Sequence, residues 1–125
     1  MEFNDVTSQS DTSLSSYGNN GFRIGEQHYE GSILITPKGY YPWDVSDISA
    51  FSYESLKRII DQQAEIDILL IGTGDTMVFL SKAHRNRLEA ANFSVDVMAT
   101  GAAARTYNIL LAEGRKVAAA LIAVA

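Results

Sequence analysis

The chain has 125 residues, one domain's worth, and 46% of them are hydrophobic, with 5 Phe, 6 Tyr and 1 Trp. It has 0 Cys, which excludes disulfides, thiolate metal sites, iron–sulfur ligation and thiol chemistry. With 15 acids against 10 bases the net charge is −5, whereas a duplex-binding domain carries a basic footprint, so nucleic acid is not an expected partner.

The charge is uneven: residues 1–67 hold eleven acids and four bases (−7), and residues 68–125 four acids and six bases (+2). A solvated acidic face accounts for this; the more specific reading is a basic end near Lys82, Arg85 and Arg87. The N-terminus lacks both the basic start and the apolar core of a signal peptide. It carries Glu2, Asp5 and Asp11 and no Arg, unlike a mitochondrial transit peptide. A cytoplasmic bacterial protein is expected. The longest apolar stretch, Val117 to Ala125, is nine residues, short of the roughly 20 a membrane-spanning helix needs. Residues 1–19 are mostly Ser, Thr, Asn and Asp and read as a flexible tail, with a single domain over 20–125.

In chain order, Phe22-Arg23-Ile24, Gly25-Glu26 and Gln27-His28-Tyr29 predict a hairpin. Ser32 to Thr36 is a strand stopped by Pro37, and Gly39 to Trp43, broken by Pro42, is an edge strand. Ser52 caps a predicted helix over 53–63, with Leu56, Ile59, Ile60 and Gln63 at helical spacing. Ile66 to Ile71 is a nearly continuous apolar run, as in a strand covered on both faces. After a Gly72-Thr73-Gly74-Asp75 turn come a short strand over Met77 to Leu80 and a Ser81-capped helix over 82–92. Phe93 to Met98 is the next strand. Thr100 caps a helix over 102–113, ended by Gly114 in a left-handed cap. In the last strand, Lys116 to Ala123, Val117, Ala119, Leu121 and Ala123 share one face and Ala118, Ala120 and Ile122 the other; both are apolar, so the strand is central. The fold class is α/β: a three-layer domain with a central mixed, largely parallel sheet, flanking helices and an added antiparallel β section at the N-terminal side.

The chemistry-bearing candidates are few. Ile71-Gly72-Thr73-Gly74 lacks the third glycine of a dinucleotide loop, with Met77 in that place, and there is no P-loop, so it is a turn. His28 and His84 stand alone on the surface, and Asp44, Asp47 and Asp61 are explained by caps and solvated faces. Trp43 beside Tyr40 and Tyr41 fills the core at a sheet edge rather than stacking a ligand. No catalytic residue, cofactor or metal is assigned. The helix beginning Thr100-Gly101-Ala102-Ala103-Ala104 is more informative. Gly101 and the alanines leave its first N–H groups uncrowded, and Gly101, Arg105 and Asn108 share one stripe while Ala103, Tyr107 and Leu110 share another. Two readings stand: an anion cradle at the helix start, or an Arg105 that pairs with Asp75 or Asp96 and clamps loops.

Leu69 to Gly74 and the long segment Val95 to Ile122 resemble a small-domain family that contains mitochondrial complex I assembly factor three, the adipogenesis-associated domain protein and many bacterial proteins. The resemblance spans roughly residues 20–123 and rests on Gly72, Thr73, Gly74, Met98, Thr100, Gly101, Arg105, Thr106, Asn108, Glu113 and Arg115. Ala99 departs from it, standing where a polar or acidic residue is expected. The resemblance implies a compact α/β domain with no established enzymatic activity. The expectation is therefore a non-catalytic accessory or assembly protein with a protein partner, peripheral to a respiratory or other membrane complex. The alternative is a binder of small anions, or an enzyme, using the Thr73–Gly74 turn and the Arg105 helix start. Because ends of parallel strands lie on one side of such sheets, Gly72, Thr73, Gly74, Met98, Thr100, Gly101, Arg105 and Asn108 are expected to form one functional surface.

Overall fold

The computed structural model describes residues 13–125. A three-stranded antiparallel sheet is made of β1 (Leu14–Gly18), β2 (Gly21–Ile24) and β3 (Gln27–Glu30), in that order. A five-stranded mixed sheet has the order β5 (Gly39–Pro42), β4 (Ile33–Thr36), β8 (Val117–Leu121), β6 (Ile68–Gly72), β7 (Ser94–Met98). In it β6 runs parallel to both β7 and β8, and β4 antiparallel to both β5 and β8. The helices are α1 (Lys57–Ile60), α2 (Lys82–Ala90) and α3 (Thr100–Ala112).

The apolar alternation of β8 is realised as predicted. Ala118, Ala120 and Ile122 belong to one core, with Trp43, Phe51, Leu56, Ile59, Leu88 and Phe93. Val117, Ala119 and Leu121 belong to the other, with Phe22, Ile24, Ala103, Ala104 and Tyr107. One face of the five-stranded sheet is thus covered by the 43–66 segment and α2. The other is covered by α3 and the three-stranded sheet, giving three layers. Gly114 ends α3 with φ 78°.

Four expectations are corrected. Residues 1–12 of the expected tail lie outside the described residues, but Leu14–Gly18 is strand β1. It joins β2 through Asn19 and Asn20, at φ 52° and 62°, a two-residue turn with both central φ positive. Its apolar content is low because neighbours hold it, Leu14 being the one side chain it buries. Met77 to Leu80 forms no strand: only Leu80 is buried, and Met77, Val78 and Phe79 face outward. The helix expected over 53–63 is broken into a 3-10 turn (Glu54–Leu56), α1 and a second 3-10 turn (Gln63–Glu65). So short a helix has little stability of its own, and the full burial of Leu56 and Ile59 sets its path. Finally, α3 starts two residues early, with Ala99 rather than Thr100 as its cap.

Elsewhere local chemistry behaves as read. The Ser81 hydroxyl accepts the His84 N–H at 3.2 Å, capping α2. Trp43 is buried, donates its indole N–H to Ser55 Oγ at 3.1 Å and meets Phe51 edge-on, so it is a core residue.

Candidate functional site

Gly72 lies opposite both Met98 and Leu121, so β6, β7 and β8 end at one level. The backbone is stitched together there. The Thr73 N–H donates to the Met98 carbonyl at 2.9 Å, and the Ile122 N–H to the Gly72 carbonyl at 3.0 Å. Thr100 is the knot. Its N–H donates to the Gly74 carbonyl at 2.9 Å, its Oγ1 accepts the Gly74 N–H at 2.9 Å, and its hydroxyl donates to the Ile122 carbonyl at 2.7 Å. This is why it is not a cap: its hydroxyl looks across to a neighbouring strand and turn. Thr100 is completely buried.

Gly72 makes the approach possible. A Cβ built there would lie 2.9 Å from the Thr100 Cα and 3.0 Å from Leu121 Cδ2, closer than packed atoms allow. Thr73 turns its hydroxyl on the following loop, donating to the Thr76 carbonyl at 2.7 Å and accepting the Val78 N–H at 3.0 Å. A segment without regular secondary structure therefore leaves the sheet with its backbone tied back to Thr73 at Thr76 and Val78.

Gly101, Arg105 and Asn108 do share a stripe, and the stripe receives β1. The Tyr17 hydroxyl lies over Gly101, 2.5 Å from where a Cβ would sit, so the helix start is covered rather than uncrowded. Arg105 Nη1 donates to that same hydroxyl at 3.3 Å; among the described residues its partner is this phenol, not Asp75 or Asp96. Asn108 brackets Leu14, accepting its N–H at 2.8 Å and donating to its carbonyl at 2.7 Å, as a neighbouring strand would. The structure thus brings Gly72, Thr73, Gly74, Met98, Thr100 and Gly101 together at one end of the sheet. Arg105 lies one turn along α3, and Asn108 two turns along, facing the start of β1.

The histidines lie apart: His28 is on exposed β3, and the His84 ring leans on Phe51 with centroids 4.9 Å apart. Among the described residues no cluster of His, Asp and Glu has the makings of a metal site. Sequence reading missed Tyr17, because it counted as tail, and Met77 to Phe79, because they counted as strand. The first had a signal in the Asn19-Asn20-Gly21 turn. For the second the sequence carries no clear signal, since a three-residue Gly74-Asp75-Thr76 connection is compatible with a hairpin.

Similar proteins agree with this architecture. An uncharacterised protein of Rhodobacter capsulatus is 34% identical over 109 residues, covering 87% of this chain and 82% of its own length. NADH dehydrogenase [ubiquinone] 1 alpha subcomplex assembly factor 3 of Xenopus tropicalis is 31% identical over 109 residues; the alignment covers 87% of this chain but only 60% of that protein. A solved structure from Bartonella henselae, described as an outer membrane protein, superposes with a TM-score of 0.87 at 40% identity, covering 92% of this chain and 97% of that one. Among the described residues no helix is long and apolar enough to cross a membrane. Residues 14–122 match the family described as a protein of unknown function (DUF498/DUF598), and the chain belongs to that family.

Proposed function

We propose that this protein is a non-catalytic accessory factor, acting through a protein partner in the assembly or upkeep of a larger, membrane-associated complex, and that it works in the bacterial cytoplasm. The observation that carries the reading is how the polar groups at the strand ends are used. Thr73, Thr100 and Asn108 direct their hydrogen bonds at the chain's own backbone, and Tyr17 covers the helix start. What this end offers outward is apolar surface: Tyr17, Met77, Val78 and Phe79 are four of the five large apolar side chains left exposed among the described residues. The relatives named as complex I assembly factors support the same class of role.

Purification of the tagged protein at its native level is expected to retain a second protein in stoichiometric amount. Recovery of this chain alone refutes the reading. The alternative, an anion site, draws on one observation, the exposed Arg105 guanidinium beside the helix start. Under the accessory reading Arg105→Ala shifts stability by no more than about 0.5 kcal/mol, as at other exposed positions, and phosphate or carboxylates do not raise the melting temperature of the native protein. An anion-dependent rise lost in the variant favours the alternative.

A further inference from the structure

We infer that the Met77-Val78-Phe79 segment is the anchor of that interaction and inserts into an apolar socket, rimmed by acidic residues, on the partner protein; this deepens the accessory reading and rests on it. Phe79 is 73% exposed, the highest value among the large apolar side chains described. Met77 and Val78 flank it at 43% and 40%. Three consecutive large apolar residues facing water are costly unless something covers them. The segment is also held in shape. Thr73 grips the Thr76 carbonyl and the Val78 N–H, and Leu80 is buried in the core immediately after Phe79. An anchor presented from a fixed backbone loses little conformational freedom on docking.

The charge around the tip says what kind of socket it fits. In a protein of net charge −5, residues 75–88 carry Lys82, Arg85 and Arg87 against Asp75 alone, a local +2. Arg87 is engaged, bonding Glu54 at 3.2 Å and stacking on Tyr53. Lys82 and Arg85, at the start of α2 just beyond Phe79, make no ion pair among the described residues. An apolar tip backed by two uncommitted cations matches an apolar pocket with a carboxylate rim. A lipid surface suits it less well. Two cations and one aromatic give weak attachment, and the molecule's net negative charge opposes an anionic bilayer.

The test places a photo-activatable phenylalanine analogue at position 79 of the full chain, in cells that express the protein natively, with a second probe at exposed position 109 on α3. Probe 79 is expected to give one discrete adduct whose mapped acceptor residues are apolar and flanked by Asp or Glu. Lys82→Glu with Arg85→Glu should cut the adduct about tenfold, because like charges then face each other. The double variant should keep the parent melting temperature, since neither side chain makes an ion pair among the described residues. An adduct with lipid, with a second copy of this chain or with residues 1–12 overturns the inference, as does a yield insensitive to the charge reversals. If probe 109 captures a partner and probe 79 does not, the accessory role stands and the anchor fails. Silence from both sites, with no partner retained on purification, removes both.

Discussion

Thr100→Val is the sharpest test of the strand-end geometry. Valine has nearly the shape of threonine, so the buried volume stays filled while both side-chain hydrogen bonds disappear. The Gly74 N–H and the Ile122 carbonyl then lose partners at 2.9 and 2.7 Å. Each lost bond is worth about 1 kcal/mol net, and a polar group stranded away from water costs about 1–3 kcal/mol. Gly74 is partly open to solvent and Ile122 is buried, so water relieves only the first. The expected loss is about 2–4 kcal/mol. At roughly 3–5 °C per kcal/mol for a chain of this size, the melting temperature falls by about 6–20 °C. Thr100→Ser keeps the hydroxyl and removes one methyl, which costs about 1 kcal/mol. Urea denaturation followed by circular dichroism, with the slope unchanged, measures both. If Val is tolerated within about 0.5 kcal/mol, or if Ser is as damaging as Val, the hydroxyl does not knot the strand ends and the reasoning fails.

Leu121→Ala, at a fully buried position in the central strand, should cost about 2–5 kcal/mol by denaturant titration; under about half a kcal/mol would contradict the packing described. Deleting residues 1–19 removes β1, uncovers Phe22 and leaves the Asn108 amide without Leu14, so the thermal midpoint should drop sharply; an unchanged midpoint would show that β1 is not docked. Tyr29 donates to the Tyr40 hydroxyl at 2.9 Å, and this bond, then burial and the charge of Tyr40, raise its pKa above the ordinary phenol value. Its contribution to stability is complete below the unfolded value near about 10 and is lost as pH rises through the folded one. Ultraviolet titration should therefore find a late-ionising component that Tyr40→Phe returns to the ordinary range; a variant with the same titration curve would contradict this.

Most of the fold was legible because its signals are local. The two-sided apolar run at Val117 to Ile122 fixes a central strand, and Gly114 and Ser81 mark helix ends by their own chemistry. What was not legible depends on contacts distant in sequence. β1 has few apolar residues and exists because β2 pairs with it and Asn108 holds it, 94 residues away. Thr100 looked like a cap because threonine often is one, but Gly74 and Ile122 compete for its hydroxyl. Met77 to Phe79 looked like a strand because exposed and buried apolar triplets have the same spelling. For the candidate surface, the sequence placed Gly72, Thr73, Gly74, Met98, Thr100 and Gly101 at one end of the sheet through the parallel-strand rule. Their hydrogen-bond partners are set by tertiary contact and could not be read.

The same packing accounts for both the internal knot and the outward tip. On the face that meets α3, β8 presents the small Ala119 between Val117 and Leu121, and α3 packs there through Ala103 and Ala104, so small side chains line the helix–sheet contact. Close packing brings the first turn of α3 onto the end of β6, where Gly72 has no side chain to obstruct it. Thr100 can then reach both the Gly74 turn and the Ile122 carbonyl, while Thr73, freed from that task, turns its hydroxyl to the next segment. That segment leaves the sheet hydrogen-bonded to Thr73 and reaches the core again at Leu80, so Met77, Val78 and Phe79 are carried on the outside of an arc pinned at Thr76 and Val78. A larger residue at position 72 would push α3 away, break the Thr100 bridge and slacken the arc. On this account, residues that touch no partner determine whether the anchor is presented at all, and changes at Gly72 or Thr100 should weaken partner binding as well as stability.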